Sequence, residues 1–287
     1  MDPVIFDTQY RRGLESILTN GEMVRNTAQG IGALTDFTVP KMHFKLEDGF
    51  PLITERSMLS FWKKPIDELF AFIRGETTFS GLARAGCGWW DQWKENAERI
   101  GLGVDSLGPA SYGGAFAHFP KPDGTEFDQF RHIIDQIRRF PGSRTHFVTP
   151  WIPFWLDRGA NQKAVIAPCH GWIHFRVING KLIVHMFQRS ADFPVGVPAN
   201  MVQYSALLLA LADLLDLIPH QYVQSFSDAH IYENQLDSVH TMLKRDPLPL
   251  PHVRLARKVT DLFEVDSSWF ELSDYHPHPG IKIPVAT

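Results

Sequence analysis

The amino-acid sequence predicts an α/β protein of the α+β type, built as a single domain over residues 1–287. Two kinds of pattern indicate this class. Several stretches place apolar residues at helical spacing, and two β-rich runs are joined by Asn179-Gly180, the strongest short-range signal for a hairpin. A hydrophobic content of 44% can supply a large core, and no shift in composition marks a border between domains.

The first quarter of the chain alternates helical and extended patterns. Residues 6–18 have the apolar spacing of a helix, and residues 38–46 are typical of a strand. Residues 65–74 predict a second helix, which begins with Pro65 and ends at Gly75.

The middle of the chain is less regular. An aromatic-rich stretch at 81–96 is followed by a Gly/Pro loop at 107–114. Residues 127–140 predict a helix that carries basic residues in its last turn, where they favour the helix dipole. Residues 149–163 contain prolines and a glycine and predict an irregular surface segment.

The best-defined local element is the hairpin, with strands predicted at 172–178 and 182–187. Cys169 precedes its first strand and Arg189 follows its second. Because an antiparallel hairpin brings those two ends together, Arg189 is expected within reach of Cys169. Residues 201–217 then predict a helix that is apolar on almost every side and therefore buried.

Charge and cysteine content limit the classes of function. A net charge of -4 and a pI near 6.3 give no general attraction to a nucleic-acid polymer or to a membrane. Two cysteines cannot make a disulfide framework, and the polar first residues do not predict a signal peptide, so a cytoplasmic protein is expected. The longest apolar run, 206–211, is too short to span a bilayer, and the histidines lack metal-ligand spacing.

Cys169 is the leading candidate for chemistry. A thiol beside cationic groups has a lowered pKa and is partly thiolate at neutral pH, which makes it a usable nucleophile. A buried structural cysteine is the alternative, since free cysteine packs like a small hydrophobe. His170 could suggest a Cys-His hydrolase, but neighbouring residues on a strand point to opposite faces, so it is poorly placed as a base.

Three polar residues further along the chain are weaker candidates. Asn200 stands near the predicted start of the apolar helix, where an amide can cap the helix, bond within the core or contact a ligand. His230 and Tyr232 lie two residues apart, and on a strand both side chains point the same way.

Many short motifs occur along the chain in one order. They are Phe50-Pro51-Leu52-Ile53-Thr54, Glu68-Leu69, Trp90-Asp91-Gln92-Trp93, Leu107-Gly108-Pro109, Ala167-Pro168-Cys169-His170, Gln188-Arg189-Ser190, Asp192, Gly196-Val197-Pro198, Asn200, Asp228-Ala229-His230-Ile231-Tyr232 and Pro277-His278-Pro279-Gly280-Ile281-Lys282. Together they resemble the thymidylate synthase family over Arg25 to Thr287. The resemblance implies a large mixed β-sheet packed by helices, an obligate dimer formed through that sheet, and one-carbon transfer from 5,10-methylenetetrahydrofolate to C5 of a pyrimidine nucleoside 5'-monophosphate, without a metal.

The resemblance also implies roles for individual residues. Cys169 would add to C6 of the base, Glu68 would move protons through water, and Tyr112 would assist proton loss from C5. The substrate residues would be Arg25, Arg189 and Ser190 at the phosphate with Arg144 from the other subunit, His230 and Tyr232 at the sugar, and Gln188, His170 and Asn200 around the base. The folate residues would be Trp90, Asp192, which binds the pterin, Gly196 and Thr287. The phosphate arginines are expected to lower the pKa of the Cys169 thiol.

Two finer points concern base and product. Asn200 can donate to O4 and accept from N3-H of uracil, which favours dUMP, with dCMP or CMP as alternatives. Ala199, Thr145 and Thr287 replace a phenylalanine, an arginine and an apolar residue of the resembled pattern. Ala199 leaves free volume beside the base and the Thr287 hydroxyl can hold a water, whereas Thr145 removes one phosphate contact from the partner subunit. Taken together, these changes favour hydroxymethylation, and reductive methylation of dUMP to dTMP is the alternative.

Overall fold

The computed structural model describes residues 6–157 and 161–286. Their α-helices are α1 (Gln9–Asn20), α2 (Lys64–Ile73), α3 (Phe79–Arg84), α4 (Lys94–Arg99), α5 (Tyr112–Ala117), α6 (Gln129–Arg139), α7 (Gly196–Leu214) and α8 (Leu236–Leu243). Their strands are β1 (Glu22–Val24), β2 (Ala33–Asp36), β3 (Met42–Lys45), β4 (Phe119–Pro120), β5 (Glu126–Phe127), β6 (Phe147–Val148), β7 (Leu156–Asp157), β8 (Asn161–Gln162), β9 (Trp172–Ile178), β10 (Lys181–Asp192), β11 (Ile218–Tyr232), β12 (His252–Leu255) and β13 (Phe270–Ser273).

One large mixed sheet organises the fold, as the sequence predicted. Its order is β1-β2-β11-β10-β9-β6, with β3 also paired to β11. Only β10 and β11 run parallel among these described strands, and the other pairs are antiparallel. A parallel pair needs a crossover connection, which is supplied by α7.

Helix α7 is the centre of the core. It packs on β10 and β11, and also against α2. By length and composition α7 could cross a membrane, but most of it is buried inside the protein, as is usual for a core helix. Alternate residues of β10 such as Val184 and Met186 are fully buried, whereas those between them are only half-buried.

The hairpin is where the sequence placed it. Strands β9 and β10 pair with Ile178 opposite Lys181, and the turn residues Asn179 and Gly180 have φ of 51° and 73°. Both values lie in the left-handed region that a two-residue hairpin turn requires. The hairpin therefore fixes the register of the segment that carries Cys169.

Several boundaries differ from the sequence prediction. The strand expected at 38–46 shortens to β3, and the first helix begins at Gln9, whose backbone N–H donates to Asp7 Oδ1 at 2.9 Å. The surface segment 149–163 contains the short strands β7 and β8, and its residues 158–160 lie outside the described residues.

Two differences bear on the site. The loop predicted at 107–114 gives way to α5, which begins at Tyr112. The apolar helix begins at Gly196 rather than after Asn200, so Asn200 lies inside α7 and is not its N-cap. Pro198 is tolerated because it lies in the first turn, where backbone N–H groups have no partner within the helix.

Candidate active site

The segment before β9 and the end of β10 meet at Cys169. The backbone N–H of Arg189 donates to Cys169 O at 2.9 Å. The Arg189 guanidinium donates to Pro168 O at 2.7 Å and to Ala167 O at 2.8 Å, and its Nη2 lies 3.6 Å from Cys169 Sγ. The hairpin geometry predicted this approach of cation and thiol, and the structure has it.

The expected lowering of the thiol pKa is wrong for the protein without substrate. Burial raises the pKa of Cys169, and this effect outweighs the opposing effects of Arg189 and of a hydrogen bond from Ser190. The other two arginines predicted at the phosphate are not held beside the thiol in this structure. Arg25 has a side chain 77% exposed and pairs with Glu233 at 3.4 Å, and Arg144 is exposed as well.

Tyr112 contacts the backbone of Cys169 and the ring of His170. The backbone N–H of Cys169 donates to the Tyr112 hydroxyl at 2.7 Å, and the Tyr112 ring stacks between Phe72 and His170. Burial raises the pKa of Tyr112 well above its usual value, so the phenol is neutral. The hydroxyl therefore keeps its proton while it accepts the hydrogen bond from the Cys169 backbone.

His170 is held away from the thiol. Its Nδ1 lies 2.6 Å from the Tyr204 hydroxyl, and burial lowers the pKa of His170 to about 3. The imidazole is therefore neutral at physiological pH. Among the described residues, the side-chain hydrogen-bond partners of Cys169 are Ala167 O, Arg189 and Ser190, so this geometry does not favour a Cys-His hydrolase.

Glu68 is not the solvated helix carboxylate that its position in α2 alone would suggest. Its Oε1 accepts hydrogen bonds from the indole N–H groups of Trp90 at 2.6 Å and Trp89 at 3.0 Å. Its Oε2 accepts from Gln203 Nε2 at 2.7 Å. Burial raises the pKa of Glu68, and the three donors oppose that rise. A carboxyl with a raised pKa is suited to exchange protons near neutral pH.

Asn200 joins the same network. Its Nδ2 donates to Gln203 Oε1 at 2.8 Å, so hydrogen bonds run from Asn200 through Gln203 to Glu68. Both amides are buried, Gln203 completely. Sequence reasoning found Glu68 and Asn200 but missed Gln203 and Trp89. The signal for Gln203 was its polar amide in an apolar helix, since a buried amide requires a partner.

Two of the predicted folate residues, Asp192 and Gly196, lie at the end of β10 and the start of α7. Asp192 accepts from the backbone N–H of Val195 at 3.2 Å and from Gln235 Nε2 at 3.1 Å, and burial raises its pKa. A Cβ added to Gly196 would meet Asp192 Cβ at 3.8 Å, an ordinary contact, so packing within the protein does not require a glycine there. The Trp90 N–H is bound to Glu68, and its ring is 8% exposed and packs against Phe72 and Trp93, with ring centroids 5.8 and 5.1 Å apart, so little of it is free to stack on a folate.

The two predicted sugar residues, His230 and Tyr232, and the predicted substrate residue Gln188 have different surroundings. His230 and Tyr232 lie on β11, as expected of an extended segment, with ring centroids 5.0 Å apart. Gln188 is turned into the protein, because it accepts from Gln224 at 2.7 Å and donates to Ser190 O at 3.1 Å. Its amide therefore holds the Ser190 backbone rather than an open site.

Ala199, Thr145 and Thr287 are the positions at which the sequence departs from the resembled pattern. Ala199 is half-buried, and Thr145 is exposed with its hydroxyl 2.7 Å from Ser143 Oγ. Thr287 lies outside the described residues. Within residues 6–157 and 161–286, no group of three or more His, Cys, Asp or Glu side chains is placed to hold a metal ion.

Comparison with protein-family models adds an independent finding. The family model described as thymidylate synthase matches residues 8–287. This span contains every helix and strand of the described structure and all the candidate residues named above. The match therefore extends over nearly the whole chain and not over one motif alone.

Proposed function

This chain belongs to the thymidylate synthase family, and on that premise we propose that it hydroxymethylates C5 of a pyrimidine nucleoside 5'-monophosphate, with dUMP as the preferred substrate. The family assignment makes it a folate-dependent enzyme that transfers a one-carbon unit to a pyrimidine nucleotide. The observation that carries the mechanism is the 3.6 Å separation of Arg189 Nη2 and Cys169 Sγ. A guanidinium at that distance stabilises a thiolate.

The reaction begins at the sulfur. C5 of a pyrimidine is a poor nucleophile until a group adds at C6, and the Cys169 thiolate forms that bond while the C5–C6 electrons move to C5 and O4. C5 then takes up the one-carbon unit and loses its proton, and the bond between that carbon and the folate nitrogen breaks, which leaves an exocyclic methylene group on the ring. The thiolate is expelled at the end, which restores the double bond and the free enzyme.

The residues present fit a bound folate. The Asp192 carboxylate can accept from the N–H groups of a pterin, and the added Cβ at Gly196 would meet only Asp192, which indicates space above this turn. When bound, the folate supplies the one-carbon unit at the oxidation level of a methylene group. Glu68, with its raised pKa, is suited to pass a proton by way of water.

Water access decides between two products. Water added to the exocyclic methylene gives a 5-hydroxymethyl nucleotide and tetrahydrofolate, whereas hydride transfer gives dTMP and dihydrofolate. Ala199 supports the first outcome because a small, half-buried side chain next to Asn200 leaves room for water. Reductive methylation of dUMP is the second candidate, since Asn200 suits uracil in either reaction.

Tritium release from C5 of labelled dUMP, in the presence of methylenetetrahydrofolate, tests the reaction class. We expect release with the wild type and a loss of several orders of magnitude in Cys169→Ser. No release with any pyrimidine monophosphate would refute the proposal. Product analysis then separates the outcomes: 5-hydroxymethyl-dUMP supports hydroxymethylation, and dTMP with dihydrofolate establishes the alternative.

We further propose a homodimer in the cytoplasm, in which Arg144 reaches the phosphate site of the partner. The sheet face opposite α7 supports this arrangement, because Trp172 lies there between Trp151 and Phe187, at 5.7 and 5.8 Å, and is only half-buried. A mixture of Arg144→Ala and Cys169→Ser proteins tests it. Random exchange into hybrid dimers should restore about a quarter of wild-type activity, and no recovery in proven hybrids would exclude a shared site.

A further inference from the structure

The relay from Asn200 through Gln203 to Glu68 has a direction. When Glu68 is ionised, its carboxylate only accepts hydrogen bonds, so Gln203 must present its Nε2 to Glu68 Oε2, at 2.7 Å. The Oε1 of Gln203 is then turned toward Asn200 and can only accept. Asn200 must therefore present its Nδ2, which lies 2.8 Å from that oxygen. The charge on Glu68 thus determines how both amides are oriented.

Packing keeps the relay in place. Asn200 and Gln203 are separated by one turn of α7, which packs against α2, where Glu68 lies. Gln203 is fully buried and Asn200 is 5% exposed, so water has little access to take the place of either amide group. Rotation of one amide by 180° would bring two donors or two acceptors together in this dry interior, which is unfavourable.

The direction matters because the two pyrimidine bases present opposite patterns. Uracil has a donor at N3 beside an acceptor at O4, whereas cytosine has an acceptor at N3 beside an amino donor at C4. An asparagine that is free to rotate by 180° can match either base through its Oδ1 and its second Nδ2 proton. An asparagine fixed in one orientation matches only one.

We propose that Gln203 is a positioning residue for base selection: it fixes the orientation of the Asn200 amide, and Asn200 can then read uracil and reject cytosine. The inference rests on the proposed function, in which Asn200 contacts the base. It adds a residue that touches no substrate and acts only through its neighbours. Selection between bases is then a property of three side chains on two helices.

Two substitutions of similar size distinguish this role from simple packing. Gln203→Met keeps the length of the side chain but neither accepts from Asn200 nor donates to Glu68. Gln203→Glu keeps an acceptor toward Asn200, and its acid can share one proton with Glu68, since two carboxylates at this distance do not both ionise. Ser205→Ala is the control, because Ser205 is fully buried on α7 and lies outside the relay.

The measurement is kcat/KM for tritium release from dUMP and from dCMP, with dissociation constants for both nucleotides by calorimetry. We expect the dUMP:dCMP ratio to fall about tenfold in Gln203→Met, the size of one lost base-reading contact, and to stay within about threefold of wild type in Gln203→Glu. The ratio should not change in Ser205→Ala. Thermal unfolding checks that each variant is folded.

Other outcomes would overturn the proposal. If Gln203 had a purely structural role, an extra buried carboxylate should disturb the site more than methionine does. A change of the dUMP:dCMP ratio in Gln203→Glu that equals or exceeds the change in Gln203→Met would therefore refute the proposal. An unchanged ratio in Gln203→Met is equally incompatible with the proposal. If that variant does not fold, Gln203→Asn, one methylene too short to bridge Asn200 and Glu68, is measured in its place. Failure of the proposed function is distinguishable, because the wild type itself would then act on neither nucleotide.

Discussion

Replacement of Trp90 by phenylalanine should raise the pKa of Glu68. The substitution keeps an aromatic ring but removes the indole N–H that lies 2.6 Å from Glu68 Oε1. Loss of a donor disfavours the ionised carboxylate. A hydrogen bond to a charged group contributes about 1.5–3 kcal/mol, and one pH unit corresponds to about 1.4 kcal/mol, so we expect an increase of about 1 to 2 pH units.

Trp89→Phe is the matched comparison, because it removes the second indole donor to the same oxygen. Trp89 lies farther away, at 3.0 Å, and is 37% exposed, whereas Trp90 is 8% exposed. Water can replace the Trp89 donor more readily, so its removal should raise the pKa of Glu68 by about 0.5 pH unit or less.

Infrared difference titration reads this pKa directly, from the carbonyl stretch of the protonated Glu68 carboxyl, assigned by its loss in Glu68→Gln. An unchanged or lowered pKa in Trp90→Phe would refute the reasoning that indole donors stabilise the anion. Equal pKa changes in Trp90→Phe and Trp89→Phe would refute the argument that water replaces the more exposed donor. The contribution of Glu68 to the free energy of unfolding, read as the difference between wild type and Glu68→Gln, should fall as pH rises from about 4.5 through the raised folded pKa, because the folded state binds the proton more tightly there.

Three further predictions concern the nucleophile, acid stability and the hairpin. Arg189→Ala should raise the pKa of Cys169 further, and the pH profile of alkylation by iodoacetamide should move to higher pH; Arg189→Lys, which keeps the charge, should move it less. His170 has a folded pKa of about 3, below its unfolded value of 6.5, so the unfolded state takes up the proton first. The contribution of His170 to the free energy of unfolding should therefore fall as pH drops from 6.5 toward 3, by about 2 kcal/mol at pH 5. Urea unfolding measures this loss, and His170→Gln should weaken the pH dependence of stability. Asn179→Ala should cost about 1 kcal/mol of unfolding free energy because of the positive φ, while Asn179→Gly should cost little; equal losses would contradict the backbone explanation.

Local signals in the sequence predicted the hairpin but not α5. The Asn-Gly turn is specified by two residues whose backbone preferences are known in advance. In α5, two glycines indicated a loop. The structure gives another reason for them: a Cβ at Gly113 would lie 2.0 Å from Glu76 O, and one at Gly114 would lie 2.1 Å from Pro109 O. These glycines permit close packing against distant backbone, which no local pattern reveals.

In the candidate site, too, contacts set by a local turn were predicted from the sequence, whereas contacts set by tertiary packing were not. The approach of Arg189 to Cys169 followed from the hairpin, since Cys169 precedes β9 and Arg189 lies near the end of β10, a strand that extends to Asp192 and beyond its predicted end at 187. The network around Glu68 did not, because Trp89, Gln203 and Glu68 come from three elements brought together only by tertiary packing. The predicted lowering of the Cys169 pKa was wrong for a related reason. The positions of residues along the sequence identify the nearby cation, but they do not give the degree of burial, which raises the pKa.

The environment of Arg189 indicates how the thiol can still be activated. Its guanidinium is held by two backbone carbonyls, Pro168 O and Ala167 O, which fix its position but carry no formal charge. Its full positive charge is therefore still available to the sulfur 3.6 Å away. A bound phosphate dianion would by itself raise the pKa of Cys169 further, so additional cations at the phosphate are needed to cancel that effect. On this argument Arg25 and Arg144, both exposed in the single chain, would serve the nucleophile by neutralising the substrate rather than by acting on the sulfur directly.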